Sequence, residues 1–252
     1  MRLDKYLSDM GIGTRSEIKK DIKSGFVSVD DVIIRDPGTH VSADSAVIYR
    51  GQPVGYEEFA YYMLSKPAGV ISASEDSRET TVVDLITEQK RKNLFPVGRL
   101  DRDTEGLLII TNDGEMAHRL LSPRHHVDKR YYARVTGKVT DEDIDAFASG
   151  IVLEDGLECL PADLKIIGIE SLADSFSEAD GIFSDTAGNI SDTEVTIHEG
   201  KFHQIKRMFL ALGHEVIYLK RLSMGPLSLD PDLAPGEYRR LTAEEITLLK
   251  SI

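Results

Sequence analysis

The stretch Val97-Gly98-Arg99-Leu100-Asp101-Arg102-Asp103-Thr104-Glu105-Gly106-Leu107-Leu108-Ile109-Ile110-Thr111-Asn112-Asp113-Gly114 sets the architecture of this chain. It opens with a carboxylate, Asp101, between Arg99 and Arg102, and then turns apolar. Leu107 to Ile110 has the length of a buried strand, and Asn112 to Gly114 is turn chemistry. Asp101 is therefore expected in a loop that feeds a central strand, a rigid support for a reactive group. A neighbouring cation keeps an aspartate ionised, and an ionised aspartate can be a nucleophile. By charge alone the same run also reads as a solvated loop with a surface ion pair.

Downstream, a helix runs through Met116, Ala117, Leu120 and Leu121 until Ser122-Pro123 stops it. Arg124 to Asp128 is a basic loop containing His125-His126, and Lys129 to Val135 reads as a strand. Adjacent histidines on an extended chain point to opposite faces, and no third ligand recurs at a fitting spacing, so no metal is expected. Thr140 to Ser149, closed by Gly150, reads as a capped helix, and Ile151 to Cys159 as a hairpin around Asp155-Gly156. Ser171 to Asp192 is acidic and Ser-rich, the composition of an exposed loop. Glu194 to Ile197 alternates as a strand. The run from Glu199 to Phe209 then opens a helix with Ile205, Met208, Phe209 and Leu212 on its apolar face and Gly213 at its end. Lys206 and Arg207 lie off that face near the helix start, where peptide N–H groups also attract anions. Val216 to Leu219 is a further strand.

Upstream, Phe95-Pro96-Val97 leads into the opening stretch, Val82 to Ile86 begins a short helix, and Glu75 to Thr80 is a polar loop. Tyr61 to Leu64 reads as a strand, and Lys66-Pro67-Ala68-Gly69 as a turn. Gly51 to Glu58 reads as a linker dividing a domain at 1–55 from one at 56–252. In the first domain Leu3, Tyr6, Leu7 and Met10 have helical spacing, ended by Gly11 and Gly13. Thr14-Arg15-Ser16-Glu17 is a capping box opening a second helix, with Ile18 and Ile22 toward the core. Arg15, Lys19 and Lys23 form a basic stripe on it, with Lys20 alongside. Phe26 to Val29 and Val32 to Ile34 make a hairpin around Asp30-Asp31, followed by a strand at Val47 to Tyr49.

The 252 residues are 29% charged and 41% hydrophobic, as in a globular protein, and no run nears the length of a membrane span. The N-terminus lacks a signal-peptide core, and the single cysteine, Cys159, excludes an internal disulfide; a reducing cytoplasm is the expected setting. The net charge of −13 argues against a simple polyanion binder, but its distribution matters more. Ile166 to Gly200 holds eight acidic residues and no Lys or Arg; without it the balance is −5. Basic residues gather elsewhere, so local stripes can still contact nucleic acid.

Gly98-Arg99-Leu100-Asp101, with Thr104, Gly106-Leu107-Leu108 and Thr111-Asn112-Asp113-Gly114, resembles the catalytic motif of RNA pseudouridine synthases, in the branch that modifies ribosomal RNA. The helix-helix-hairpin frame of the first domain resembles the S4 (α-L-like) RNA-binding domain that this branch carries. Lys66-Pro67-Ala68-Gly69, Lys129-x-Tyr131, Glu199 to Phe209, Lys220 to Leu227 and Pro235 to Leu241 resemble further family motifs in the family's order.

The resemblance implies an α+β protein: a small S4 domain joined to a mixed or antiparallel-sheet catalytic domain. It implies isomerisation of a uridine in RNA to pseudouridine with no metal and no cofactor. Asp101 is the implied catalytic residue, Tyr131 the tyrosine stacking on the target base, and Lys206 the basic partner of Asp101. Many relatives have arginine there, and lysine is a point charge rather than a planar fork, so Arg207 stays open as the alternative partner. The implied RNA contacts are Arg15, Lys19, Lys20, Lys23, Arg99, Arg102, Arg124, Lys129, His203, Gln204 and Arg207. Phe202 to Phe209 is more similar to the small-subunit branch, which implies a monomer acting on uridine 516 of 16S rRNA, free or in an assembling 30S particle. A 23S rRNA enzyme, a non-catalytic S4-type assembly factor and a glycoside hydrolase using Asp101 and Asp103 are the alternatives.

Overall fold

The computed structural model of the chain describes residues 1–87, 93–170 and 188–252. The first domain contains α1 (Leu3–Asp9), α2 (Arg15–Lys23), β1 (Val27–Val29), β2 (Val32–Ile33), β3 (Val47–Tyr49) and β4 (Gln52–Val54), its sheet ordered β2-β1-β3-β4. The capping box at α2 forms as read: Thr14 Oγ1 accepts from the Glu17 N–H, and the Glu17 carboxylate accepts from the Thr14 N–H. Leu3, Tyr6, Leu7, Ile18, Ile22, Val27 and Val47 close the core. Asp30 and Asp31 take the left-handed conformations, φ 49° and 65°, of a tight hairpin turn.

The expected linker is a correction. Gln52–Val54 is an edge strand antiparallel to β3, the Tyr6 hydroxyl donates to the Val54 carbonyl, and Tyr56 packs on the Tyr6 ring. Arg50 and Gly51, both at positive φ, make the turn, and Pro53 is tolerated because β4 is an edge.

The second domain contains β5 (Tyr61–Lys66), β6 (Phe95–Pro96), β7 (Glu105–Thr111), α3 (Gly114–Leu121), β8 (Lys129–Thr136), α4 (Asp141–Ser149), β9 (Asp163–Glu170), β10 (Ile190–Ile197), α5 (Gln204–Ala211), β11 (Val216–Met224), β12 (Leu227–Ser228), β13 (Tyr238–Arg240) and α6 (Ala243–Lys250). Its mixed sheet runs β13-β5-β7-β11-β8-β10-β9, with β6 beside β7 and β12 beside β11. The β7–β11 pair is parallel and its neighbours are antiparallel. Among the described residues no helix is long and apolar enough to cross a membrane.

The uninterrupted apolar run of β7 follows from burial on both faces. Leu108 and Ile110, with Tyr62 and Leu64 of β5, join the core that includes Tyr131, Ile205, Met208 and Phe209. Leu107 and Ile109, with Tyr61 and Met63, join the opposite core with Met116, Leu120 and Leu249 of α3 and α6. The Thr-Asn-Asp-Gly turn is fully engaged. Thr111 Oγ1 donates to the Ala60 carbonyl, Asn112 Oδ1 accepts from the Ala60 N–H, and Asp113 caps α3 while accepting from the Tyr61 hydroxyl.

Several elements differ from expectation. Val82 to Ile86 forms turns rather than a helix, with Thr81 and Asp84 bonded reciprocally, and 88–92 lie outside the described residues. Of the acidic stretch Ser171 to Asp192, 171–187 lie outside them too, and Ile190 to Asp192 belong to β10, paired with both β8 and β9. β11 continues through the basic Lys220-Arg221, which pair with Glu105 and Gly106 of β7. The helix α6 was not foreseen, although its Thr242–Glu245 capping box was there to read.

Gly106 of β7 lies directly against the Arg221 backbone of β11. At its φ of 100°, an added Cβ would strike the Arg221 carbonyl oxygen and lie 2.7 Å from the Arg221 nitrogen. Gly106→Ala is expected to lower unfolding free energy by about 3 kcal/mol or more. Gly114→Ala, where a Cβ meets open space at a helix start, is expected to change it by no more than about 1 kcal/mol. Urea denaturation of the two variants checks the contrast, and equal losses would contradict it.

Candidate active site

Asp101 lies in the loop between β6 and β7, and backbone contacts hold that loop on both sides of it. Ser72 Oγ donates to the Leu100 carbonyl (2.8 Å) and accepts from the Leu100 N–H (3.1 Å). Behind the loop, Lys66 at the end of β5 is completely buried. Its ammonium donates to the carbonyls of Pro67 (3.0 Å), Arg102 (3.2 Å) and Thr104 (2.9 Å). The Arg102 carbonyl also accepts from the Gly69 N–H, and the Thr104 N–H closes a turn onto the Asp101 carbonyl. The Lys-Pro-x-Gly turn is thus the brace of the Asp101 loop. Burial pulls the Lys66 pKa down to about 8, against the pull of Asp103 and Asp101.

Lys206 of α5 and His203 just before it meet the Asp101 carboxylate. Lys206 Nζ is 3.4 Å from Oδ2, and His203 Nε2 is 3.4 Å from Oδ1. An ionised aspartate is the form able to act as nucleophile or base. Lys206 also donates to both oxygens of Asp103, at 2.6 and 2.8 Å, and this bond holds the Asp103 carboxyl below its usual range. Lys206 therefore bridges two carboxylates. Asp101, Tyr131, His203 and Lys206, with Arg99, Thr104 and Leu219, line a small pocket. It opens into a wider cleft reached by Arg99, Arg102, Lys129, Lys201, Phe202 and His203.

Of the expected site residues, Asp101, Tyr131 and Lys206 come together. Arg207 does not join them: it pairs with Asp155 at 2.6 Å, and Lys206 is the residue beside Asp101. Asp103 lines neither the pocket nor the cleft, so the two aspartates do not flank a sugar site. Arg99 stands exposed at the cleft. Arg102 is engaged with Glu79 and the Gly69 carbonyl. Two expected RNA contacts need correction. Gln204 is buried, accepts from the Lys201 N–H and donates to Glu199, so it organises the loop before α5. Lys129 is buried too, because β8 puts it on the same inward face as Tyr131, and it donates to the Val127 carbonyl. Burial and the nearby Arg221 pull its pKa down to about 8.

Arg15, Lys19, Lys20 and Lys23 stand exposed on α2, Lys19 at 3.9 Å from Asp4, and Arg124 is exposed in the short 3-10 turn after α3. Ser72, Lys201, the buried role of Lys66 and the Asp103 side of the Lys206 bridge escaped the sequence reading. Only the Lys-Pro-x-Gly turn signalled any of them.

A carboxylate pocket with a tyrosine wall, opening on a cation-lined cleft and preceded by a basic helical module, is the layout of an enzyme acting on a polynucleotide. The S4 domain family matches residues 1–47, and the RNA pseudouridylate synthase family matches residues 60–211. The chain belongs to the RNA pseudouridylate synthase family, whose members are isomerases. It is 49% identical to "Uncharacterized RNA pseudouridine synthase YtzG" of Bacillus subtilis (strain 168), over 99% of this chain and 98% of that one. It is 40% identical to "Ribosomal small subunit pseudouridine synthase A" of Vibrio cholerae and 36% identical to the protein of that name in Escherichia coli (strain K12), each over 98% of both chains. A solved structure described as "Crystal structure of pseudouridylate synthase" superposes with a TM-score of 0.63 at 33% identity, covering 99% of both chains.

The Lys66 proton links pH to stability. The folded pKa is depressed from 10.5 to about 8, so between these values the unfolded chain binds more protons. The contribution is full above the unfolded pKa and lost as pH falls through the folded one. From about pH 7 to about pH 10, the stability of the wild type relative to Lys66→Met is expected to rise on the order of 1–3 kcal/mol. Chemical denaturation across that range reads it, and a constant difference would contradict the burial of the charged amine.

Proposed function

We propose that the chain converts one uridine of ribosomal RNA to pseudouridine, and that the target is uridine 516 of 16S rRNA. The observation carrying this reading is the Asp101 carboxylate between Lys206 and His203, in a pocket walled by Tyr131. Relatives named as small-subunit enzymes along nearly the whole chain support the choice of RNA. The target uridine leaves its stack, at a cost of a few kcal/mol, and enters the pocket. Arg99, Arg102 and Lys201 at the cleft, with the basic face of α2, offset that cost through phosphate contacts.

Asp101 assists cleavage of the N1–C1′ bond, as nucleophile at C1′ or as base. The freed uracil, holding the N1–C1′ bonding pair, stays stacked on Tyr131 while it turns; C5 bonds to C1′, displacing Asp101 where it has added there, and the proton lost from C5 with help from the Tyr131 hydroxyl is matched by the one N1 takes up. Lys206 holds Asp101 in place and offers positive charge toward the sugar-phosphate. The protein acts as a monomer in the cytoplasm, on free rRNA or on the assembling 30S particle.

The test is incubation of the purified protein with 16S rRNA, naked and partly assembled with small-subunit proteins, followed by carbodiimide-dependent primer extension. One new stop at the target is expected from the wild type. Asp101→Asn is expected to abolish it while RNA affinity changes less than about threefold, since catalysis depends on transition-state contacts that binding does not need. Stops only on 23S rRNA would overturn the target. Undiminished product with Asp101→Asn would overturn the role of Asp101.

A further inference from the structure

Phe202 is 75% exposed, the most exposed of the large hydrophobic side chains among the described residues. It sits in the wall of the cleft that contains Asp101. Its ring stacks on the His203 imidazole, with centroids 3.8 Å apart and planes at 18°. His203 in turn has a backbone φ of 50°, a conformation unfavourable for a residue with a Cβ, and its Nε2 is 3.4 Å from Asp101. The Phe202 ring is therefore tied through one stacked neighbour to the reactive carboxylate. At this exposure the ring face turned away from His203 is open. Arg99, Arg102 and Lys201 line the same cleft.

An open aromatic face among cations is the means by which proteins hold unpaired bases: cations follow the phosphates, and the ring accepts any base. A uridine drawn into the Asp101 pocket leaves a gap in the RNA stack, and its neighbours lose a stacking partner. We propose that Phe202 is the platform on which the base adjacent to the target uridine stacks, filling the gap left when the uridine enters the pocket. The proposal rests on the reading of the chain as a 16S rRNA pseudouridine synthase. It gives the exposed ring and the strained His203 beneath it one purpose: to present a flat surface at a fixed distance from Asp101.

The test uses the full chain as wild type, Phe202→Ala, Phe202→Leu and Phe202→Trp, with a 16S rRNA fragment containing the target. In two further fragments the base on the 5′ or the 3′ side of the target is removed to leave an abasic ribose. RNA affinity by fluorescence anisotropy is expected to fall about 5- to 150-fold in Phe202→Ala. Phe202→Leu, similar in apolar size but without a π face, falls nearly as far, and Phe202→Trp keeps wild-type affinity. One of the abasic fragments weakens the wild type by a similar factor and does not further weaken Phe202→Ala.

Wild-type affinity in Phe202→Leu, or abasic and Phe202→Ala effects that multiply, would overturn the platform. Anisotropy needs no turnover, so it judges the platform whether or not the fragment is modified. Pseudouridine formed by the wild type on the intact fragment, and absent with Asp101→Asn, judges the underlying reading separately.

Discussion

The Lys66 ammonium is the interaction on which the site depends. It is a buried charge whose three hydrogen bonds all go to backbone carbonyls, two of them from Arg102 and Thr104 in the loop that carries Asp101. Neutral carbonyls offset the cost of burying a charge only in part, which is why its pKa is drawn down. The return is geometric. Side chains on surface loops move, and catalysis tolerates little displacement of its reacting group. With Ser72 fastening Leu100 and Lys66 fastening Arg102 and Thr104, a loop position acquires the rigidity of the sheet beneath it.

The sheet supplies the second constraint. β7 is central, buried on both faces, and approached in parallel by β11 at Gly106. Only a glycine lets the Arg221 backbone come so close. The buried Arg221 guanidinium then donates to the Leu107 carbonyl at 2.7 Å, another charged group spent on main-chain geometry. On one face of this sheet lie Tyr131 and the α5 side chains Ile205, Met208 and Phe209, and on the other lie α3 and α6. The helix that carries Lys206 is therefore seated on the same face as Tyr131.

Much of this was legible in the residues. The aliphatic run Leu107 to Ile110, the capping box at Thr14 and the apolar spacing of Ile205, Met208 and Phe209 are local signals, and each element formed where they place it. The β4 strand, the turns at Val82 to Ile86, the outer strand β9 and the part of β10 before Glu194 were misread or missed. Their identity is decided by partners distant in sequence, and Pro53, or the acidic residues of the 166–200 stretch, misdirect a local reading. At the site, the residues expected at Asp101, Tyr131 and Lys206 converge, and a basic pair such as Lys206-Arg207 was resolved only by which helix face looks at which loop. Burial reversed the reading of Lys129 and Gln204. A lysine or glutamine in a motif suggests a solvent-facing contact, whereas the strand alternation of β8 and the fold of the Glu199–His203 loop turn both inward. Ser72 carries no sequence signature, and the Lys-Pro-x-Gly turn does not tell which carbonyls Lys66 reaches, because main-chain acceptors look alike in every residue.

The Lys66 amine, by holding backbone, places the Asp101 carboxylate. The most direct measurement is the single-turnover rate of pseudouridine formation by Lys66→Met at saturating RNA, read beside its RNA affinity. The account predicts a rate lower by about 100-fold, the scale of a roughly 1 Å misplacement of a reacting group, with affinity for RNA unchanged because Lys66 does not reach the surface. A rate within about twofold of the wild type in a folded variant would contradict it.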